Sequence, residues 1–115
     1  MAGITVKDFI FGMPTRFAAE KATELKATIQ FVISGQDGGN FVLRMSNGTC
    51  TASEGLEESP TLTLRMSSET YVGMAIGKLK GPQAFFTRKL RFEGETKLLM
   101  KMHSLFPSIQ ESDLG

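Results

Sequence analysis

The chain has no tryptophan and only one tyrosine, one cysteine and one histidine among its 115 residues, and these scarcities exclude a good deal of chemistry. A single cysteine, Cys50, rules out an internal disulfide and fits a reducing compartment. A structural zinc wants four nitrogen or sulfur ligands, and one His with one Cys cannot supply them. Nucleophilic or general-base catalysis needs a tuned donor held beside its partner. Cys50 lies between Thr49 and Thr51 with no histidine near it in sequence, and reads as a small packing residue. His103 falls in a final apolar stretch, where a lone histidine is more often a satisfied or surface residue than a catalyst.

Charge of one sign and long apolar runs are missing too. A net charge of +1 is too small to argue for nucleic acid as a partner, and no run approaches the ~20 apolar residues of a membrane span. Residues 1–13 carry Lys7 and Asp8 inside their apolar stretch and no small-residue cleavage site, so they do not read as a secretory signal. Residues 110–115 are not of the Ser-Lys-Leu type that addresses proteins to peroxisomes. A cytoplasmic protein is the expectation. The acids of residues 54–58 lack the alternating pattern of a calcium loop and read as a solvated loop. The glycines of residues 35–39 lack the Gly-Lys-Ser/Thr ending of a phosphate loop and read as a turn. Neither a metal nor another cofactor is expected.

What remains is a single domain, residues 1–115, with a core over about residues 5–106 and a tail over 107–115. A hydrophobic fraction of 41% with 22% charged residues suits a globular class. Thr5 can cap a short helix with Val6, Phe9 and Ile10 on one face, interrupted by Gly12 and Pro14, with a further helical turn ending near Ala22. From Ala27 the period changes to two: Ile29, Phe31 and Ile33 alternate with Thr28, Gln30 and Val32, a half-buried strand. Phe41, Leu43 and Met45 resume the alternation after the glycine-rich turn. Asn47-Gly48 is a type I′ signal that returns a third strand over residues 49–53. Leu62, Leu64 and Met66 form a fourth strand after Pro60.

Ser67 and Ser68 can cap a helix bearing Tyr71, Met74 and Ala75, which Gly77 closes at a position that tolerates positive φ. Pro82 suits the first turn of a brief helix with Ala84, Phe85 and Phe86. Leu90 and Phe92 form a fifth strand, ended by Gly94. A last helix, from about Thr96 to Phe106, carries Leu98, Leu99, Met102, Leu105 and Phe106 on a wide apolar stripe. Helices, a meander of strands, and helices around one more strand make an α+β domain with helices over one antiparallel sheet. Phe31, Phe41 and Phe92 share the parity of the aliphatic residues and face the core, which argues against base stacking on the sheet. Nine Phe and seven Met leave apolar volume as the outstanding property.

Residues 77–102 concentrate that volume: Gly77-Lys78-Leu79, Gly81-Pro82-Gln83-Ala84-Phe85-Phe86, Lys89-Leu90-Arg91-Phe92-Glu93-Gly94-Glu95, then Leu98-Leu99-Met100-Lys101-Met102. The succession Gly-Lys-Leu, Ala-Phe, Lys-Leu, a strand, a glycine and a final apolar helix resembles the sterol carrier protein-2 (SCP-2) domains, over roughly residues 5–106. The resemblance implies a stand-alone, prokaryotic-type member: a five-stranded, mainly antiparallel sheet covered on one face by helices, with an apolar tunnel between. It implies a tunnel lining of Phe31, Ile33, Leu43, Met74, Leu79, Gln83, Phe85, Phe86, Phe92, Leu98, Leu99, Met102 and Phe106. Unbranched methionines such as Met74, Met100 and Met102 would adapt such a lining to ligands of different shape. The chain departs from the family pattern at Arg88, where relatives usually have glycine, and at Thr96-Lys97, where apolar residues are common.

The function so implied is non-catalytic binding and transfer of a fatty acyl chain, a fatty acyl-CoA or a sterol-like lipid. The alternative is an accessory module that presents apolar substrate to a partner enzyme or oligomerises with it; a small enzyme using His103 or a buried carboxylate is a third class. Between residues 78 and 101 lie Lys78, Lys80, Arg88, Lys89, Arg91, Lys97 and Lys101 against only Glu93 and Glu95. Such a stretch is most often a solvated face; transient contact with an anionic membrane surface is the functional alternative. Monomer and dimer are both open.

Overall fold

The computed structural model describes residues 5–21 and 23–106, apart from the His103 side chain. Strands β1 (Lys26–Ser34), β2 (Gly39–Ser46) and β3 (Thr49–Glu54) form the expected antiparallel meander. Its second turn has Asn47 at φ 51° and Gly48 at φ 80°, the two positive angles a type I′ turn requires. Strand β4 (Leu62–Ser67) does not extend the meander. It lies parallel to β1, and β5 (Leu90–Gly94) pairs antiparallel with β4, so the order is β3-β2-β1-β4-β5.

Chain alternation explains the single core. Ile29 pairs across to Leu43 and Leu62, and Phe31 to Phe41 and Leu64, so the two partners of each share its face. On this face pack α1 (Val6–Arg16), α2 (Ser68–Ala75), α3 (Gly81–Phe86) and α4 (Thr96–Leu105), which contribute buried Val6, Phe9, Ile10, Met13, Tyr71, Ala84, Leu98 and Leu105. Tyr71 sits edge-on to both Phe9 and Phe31, and its hydroxyl donates to the Met13 sulfur at 3.2 Å.

Helix α1 opens on a reciprocal cap: Thr5 Oγ1 accepts from the Asp8 amide at 3.2 Å and the Asp8 carboxylate accepts from the Thr5 amide at 3.0 Å. It departs from expectation by continuing through Gly12 and Pro14 to Arg16. The Arg16 guanidinium donates to the Phe9 carbonyl at 3.2 Å, a side-chain donor for the turn ahead of the proline. A separate 3-10 turn follows at Ala19–Lys21, and Ala22 lies outside the described residues.

A second departure concerns the back of the sheet. Gln30, Val42 and Thr63 have the parity of solvent-facing residues, yet all three are buried. The cover is the connection from β3 to β4, residues 55–61, which passes behind β2 and β1. Gln30 Nε2 donates to the carbonyls of Gly55 (2.9 Å) and Phe41 (3.1 Å), and its Oε1 accepts from the Glu57 amide at 2.6 Å. Arg44 anchors the same loop from outside through Glu57 at 2.7 Å.

Replacing Gln30 by leucine keeps the volume but strands the Glu57 amide and the Gly55 carbonyl against the sheet. Gln30→Leu is expected to lower unfolding free energy by about 2–4 kcal/mol, read from the urea midpoint at unchanged slope.

Candidate functional site

Helix α3 and the open edge strand β5 build the site. Gly81 and Pro82 start α3 in a position where the missing proline N–H costs nothing. The helix ends after barely two turns: the Lys89 amide bonds the Ala84 carbonyl at 2.8 Å and the Arg88 amide bonds the Phe85 carbonyl at 3.0 Å. That pair of bonds is a Schellman closure, which places Arg88 at C′ with φ 64°. Helix α2 closes in the same way, with glycine at the equivalent place: Gly77 has φ 82°, and the Lys78 amide bonds the Gly73 carbonyl at 2.9 Å.

The left-handed turn at Arg88 swings the chain back so that β5 runs beside α3. The Phe85 ring lies tilted against Phe92 of β5 at 5.5 Å and meets Phe86 edge-on at 5.7 Å. Between them opens a groove of about 440 Å³ lined by Phe85, Phe86, Arg88, Leu90, Arg91 and Phe92. Phe85 is 45% exposed and Phe86 80%. Two large apolar side chains so exposed on adjacent positions, with a groove beneath them, are more than the scattered surface hydrophobics of an ordinary domain.

Of the expected lining residues, the structure gathers Phe85, Phe86 and Phe92 at this groove. Phe31, Ile33, Leu43 and Leu98 are closed within the core. Met74, Leu79, Leu99, Met102 and Phe106 are partly buried against that core, and Phe106 stacks on Phe17 at 5.4 Å. Gln83 is exposed and contributes its backbone carbonyl to Thr87 Oγ1 at 2.8 Å. Met100, named for its adaptability, is 77% exposed. Sequence reasoning missed Arg88, Leu90 and Arg91 as lining residues. Arg91 alternates away from Phe92, and only the edge position of β5 lets one groove touch both.

The groove holds two guanidiniums and no nucleophile. Cys50 lies across the sheet in β3, paired with Met45, and burial pushes its thiol up to about 11. Burial also raises the Tyr71 hydroxyl, partly opposed by the Arg16 charge. Among the described residues no three His, Cys, Asp or Glu side chains come together to hold a metal ion, and no helix is long and apolar enough to cross a membrane.

Two expectations follow from these local facts. At pH 8, Cys50 should be alkylated by iodoacetamide about a hundredfold more slowly in the native protein than in the unfolded chain, since its thiolate fraction falls by that factor. Arg88→Gly should raise unfolding free energy by about 0.5–1 kcal/mol in chemical denaturation, because glycine adopts positive φ without the Cβ penalty.

Comparison with known proteins places this geometry. The model of the SCP-2 sterol transfer family matches residues 13–107. Hydroxysteroid dehydrogenase-like protein 2 of Bos taurus is 35% identical over 86 residues, 74% of this chain and 20% of that protein, and its Xenopus tropicalis counterpart is 31% identical over 77 residues. The chain thus spans about a fifth of the length of these curated relatives. Among solved structures, the inverting sec-alkylsulfatase Pisa1 from Pseudomonas sp. matches with a TM-score of 0.78 at 22% identity, over 90% of this chain and 16% of that one. Palmitated SCP2L2 from Aedes aegypti matches with a TM-score of 0.74 at 16% identity, over 93% of this chain and 98% of that one. At such identities the structural matches establish the shared fold.

Proposed function

Because the chain belongs to the SCP-2 sterol transfer family, we propose that it is a non-catalytic carrier that takes up one apolar lipid, a fatty acyl chain first among candidates, through the groove between α3 and β5. The observation that carries this reading is the groove itself, an open cleft of about 440 Å³ walled by Phe85, Phe86, Leu90 and Phe92 with two arginines at its rim. The solved relative from Aedes aegypti with palmitate supports the ligand class.

The half-buried Met74, Leu79, Leu99 and Met102 pack against the core without being closed within it. These are the groups that would yield to extend the groove into the tunnel expected of the family, with Phe31, Ile33, Leu43 and Leu98 as its fixed wall. Unbranched thioethers re-pack at low cost, which favours ligands of varied shape over one sterol. Burying a sixteen-carbon chain at ~0.8 kcal/mol per methylene contributes roughly 12 kcal/mol gross. After ordering and association costs this corresponds to micromolar to nanomolar binding.

A second reading is favoured by one comparison: the chain covers only 20% of its bovine relative. On that reading it is an accessory module that presents apolar substrate to a partner enzyme or oligomerises with it. A carrier moves an acyl probe between donor and acceptor vesicles by itself; an accessory module binds the probe without accelerating that movement.

Titration with a fluorescent long-chain acyl probe, displaced by unlabelled fatty acid, acyl-CoA and sterol, is expected to saturate at about one per chain. Phe85→Ala removes a half-exposed ring and should weaken uptake about tenfold without unfolding the domain. Absence of saturable uptake by the folded wild-type protein would overturn the lipid-binding reading.

A further inference from the structure

The exposed side of α3 carries an unexplained combination. Phe86, at 80% exposure, shares one groove with the exposed Arg88 and Arg91, and the exposed Lys89 lies between these two in the chain. From Lys78 to Phe92 there is no Asp or Glu. The nearest acid along the strand, Glu93, is already engaged by Arg65 at 3.4 Å, and among the described residues no ion pair involves Arg88, Lys89 or Arg91. Arg91 moreover sits directly opposite Arg65 in the β4–β5 register. Like charges facing each other across a ladder destabilise it, and Glu93 balances the Arg65 side of this pair alone. An anionic surface drawn up to the β5 edge would relieve the repulsion.

We propose that this edge docks on an anionic lipid bilayer, with Phe86 entering the interfacial region and Arg88, Lys89 and Arg91 meeting the acidic headgroups. An apolar ring flanked by cations is the pattern of interfacial anchors, in which burial of the ring and attraction to anionic lipid add. The geometry serves it: Phe86, Arg88 and Arg91 line one groove, and the Schellman closure places Arg88 two residues beyond the end of the helix. The docked edge is also the rim of the groove, so a lipid chain could pass between bilayer and groove without crossing water. Only that last step rests on the carrier reading; the docking does not.

The absence of tryptophan makes the test clean. Phe86→Trp places the sole indole at an exposed position that tolerates it. Its emission should shift to the blue with vesicles of mixed phosphatidylserine and phosphatidylcholine, remain unchanged with phosphatidylcholine alone, and return toward the aqueous value as salt is raised. Adding Arg88→Gly and Lys89→Gln should weaken vesicle binding about 25-fold, roughly fivefold for each charge removed, while circular dichroism stays native. Unchanged emission with both vesicles would overturn the proposal, and an equal shift with neutral vesicles would overturn its electrostatic half. An acyl probe titrated into the unsubstituted protein without vesicles separates the two readings. Probe uptake with no vesicle response sinks the docking alone, and vesicle response with no uptake sinks the carrier reading alone.

Discussion

The buried amide of Gln30 holds the topology together. A parallel pair of strands normally requires a dozen or more connecting residues, usually a helix, yet β3 reaches β4 in residues 55–61. That loop must cross three inter-strand spacings, about 14 Å, and step back along the sheet, since Glu54 pairs at the level of Phe41 while β4 begins beside Ile29. So short a link has no secondary structure of its own to satisfy its backbone. Gln30 satisfies it instead, using the donor and acceptor of one side chain on Gly55 and Glu57. Because the loop lies flat behind the sheet, Val42 and Thr63 are buried as well, and the sheet has a thin second core on the face that alternation assigns to water.

From that crossover the site follows. With β4 held beside β1, its outer side is left open; β5 pairs there and becomes an exposed edge strand with a helix end beside it. Two constraints then fix how α3 and β5 meet. Gly94 closes the strand at φ 117°, where a Cβ would lie 2.3 Å from the Thr61 carbonyl. Arg88 opens it at φ 64°. A non-glycine residue in the left-handed region is a small strain, and it keeps a cation at the rim of the groove.

The front core could be read directly from the chain, because period-two alternation at Ile29, Phe31 and Ile33 and again at Leu62, Leu64 and Met66 has one physical meaning in a sheet with one covered face. The caps at Thr5 and Ser67, the Asn47-Gly48 turn and the closure at Gly77 were equally local, each depending on a few adjacent residues. Where the reading went wrong, a side-chain contact outside the periodic pattern intervened: within α1 the Arg16 guanidinium reaches back to the Phe9 carbonyl, and far along the chain residues 55–57 bury Gln30. The site was legible in part. Phe85, Phe86 and Phe92 stood out as apolar residues between breakpoints, but nothing in their spacing distinguishes a groove-lining ring from a core ring such as Phe31.

The sequence by itself determined the number and kind of elements, the face each buries and the poverty of catalytic groups, because these depend on side-chain period, local hydrogen bonding and composition. Only the tertiary structure decided the strand order, the burial of the back face and the meeting of Phe85, Phe86, Arg88 and Arg91 around one groove. Those depend on which elements lie side by side. Register and crossover set that adjacency through contacts between residues far apart in the chain, and such contacts leave no periodic trace in it.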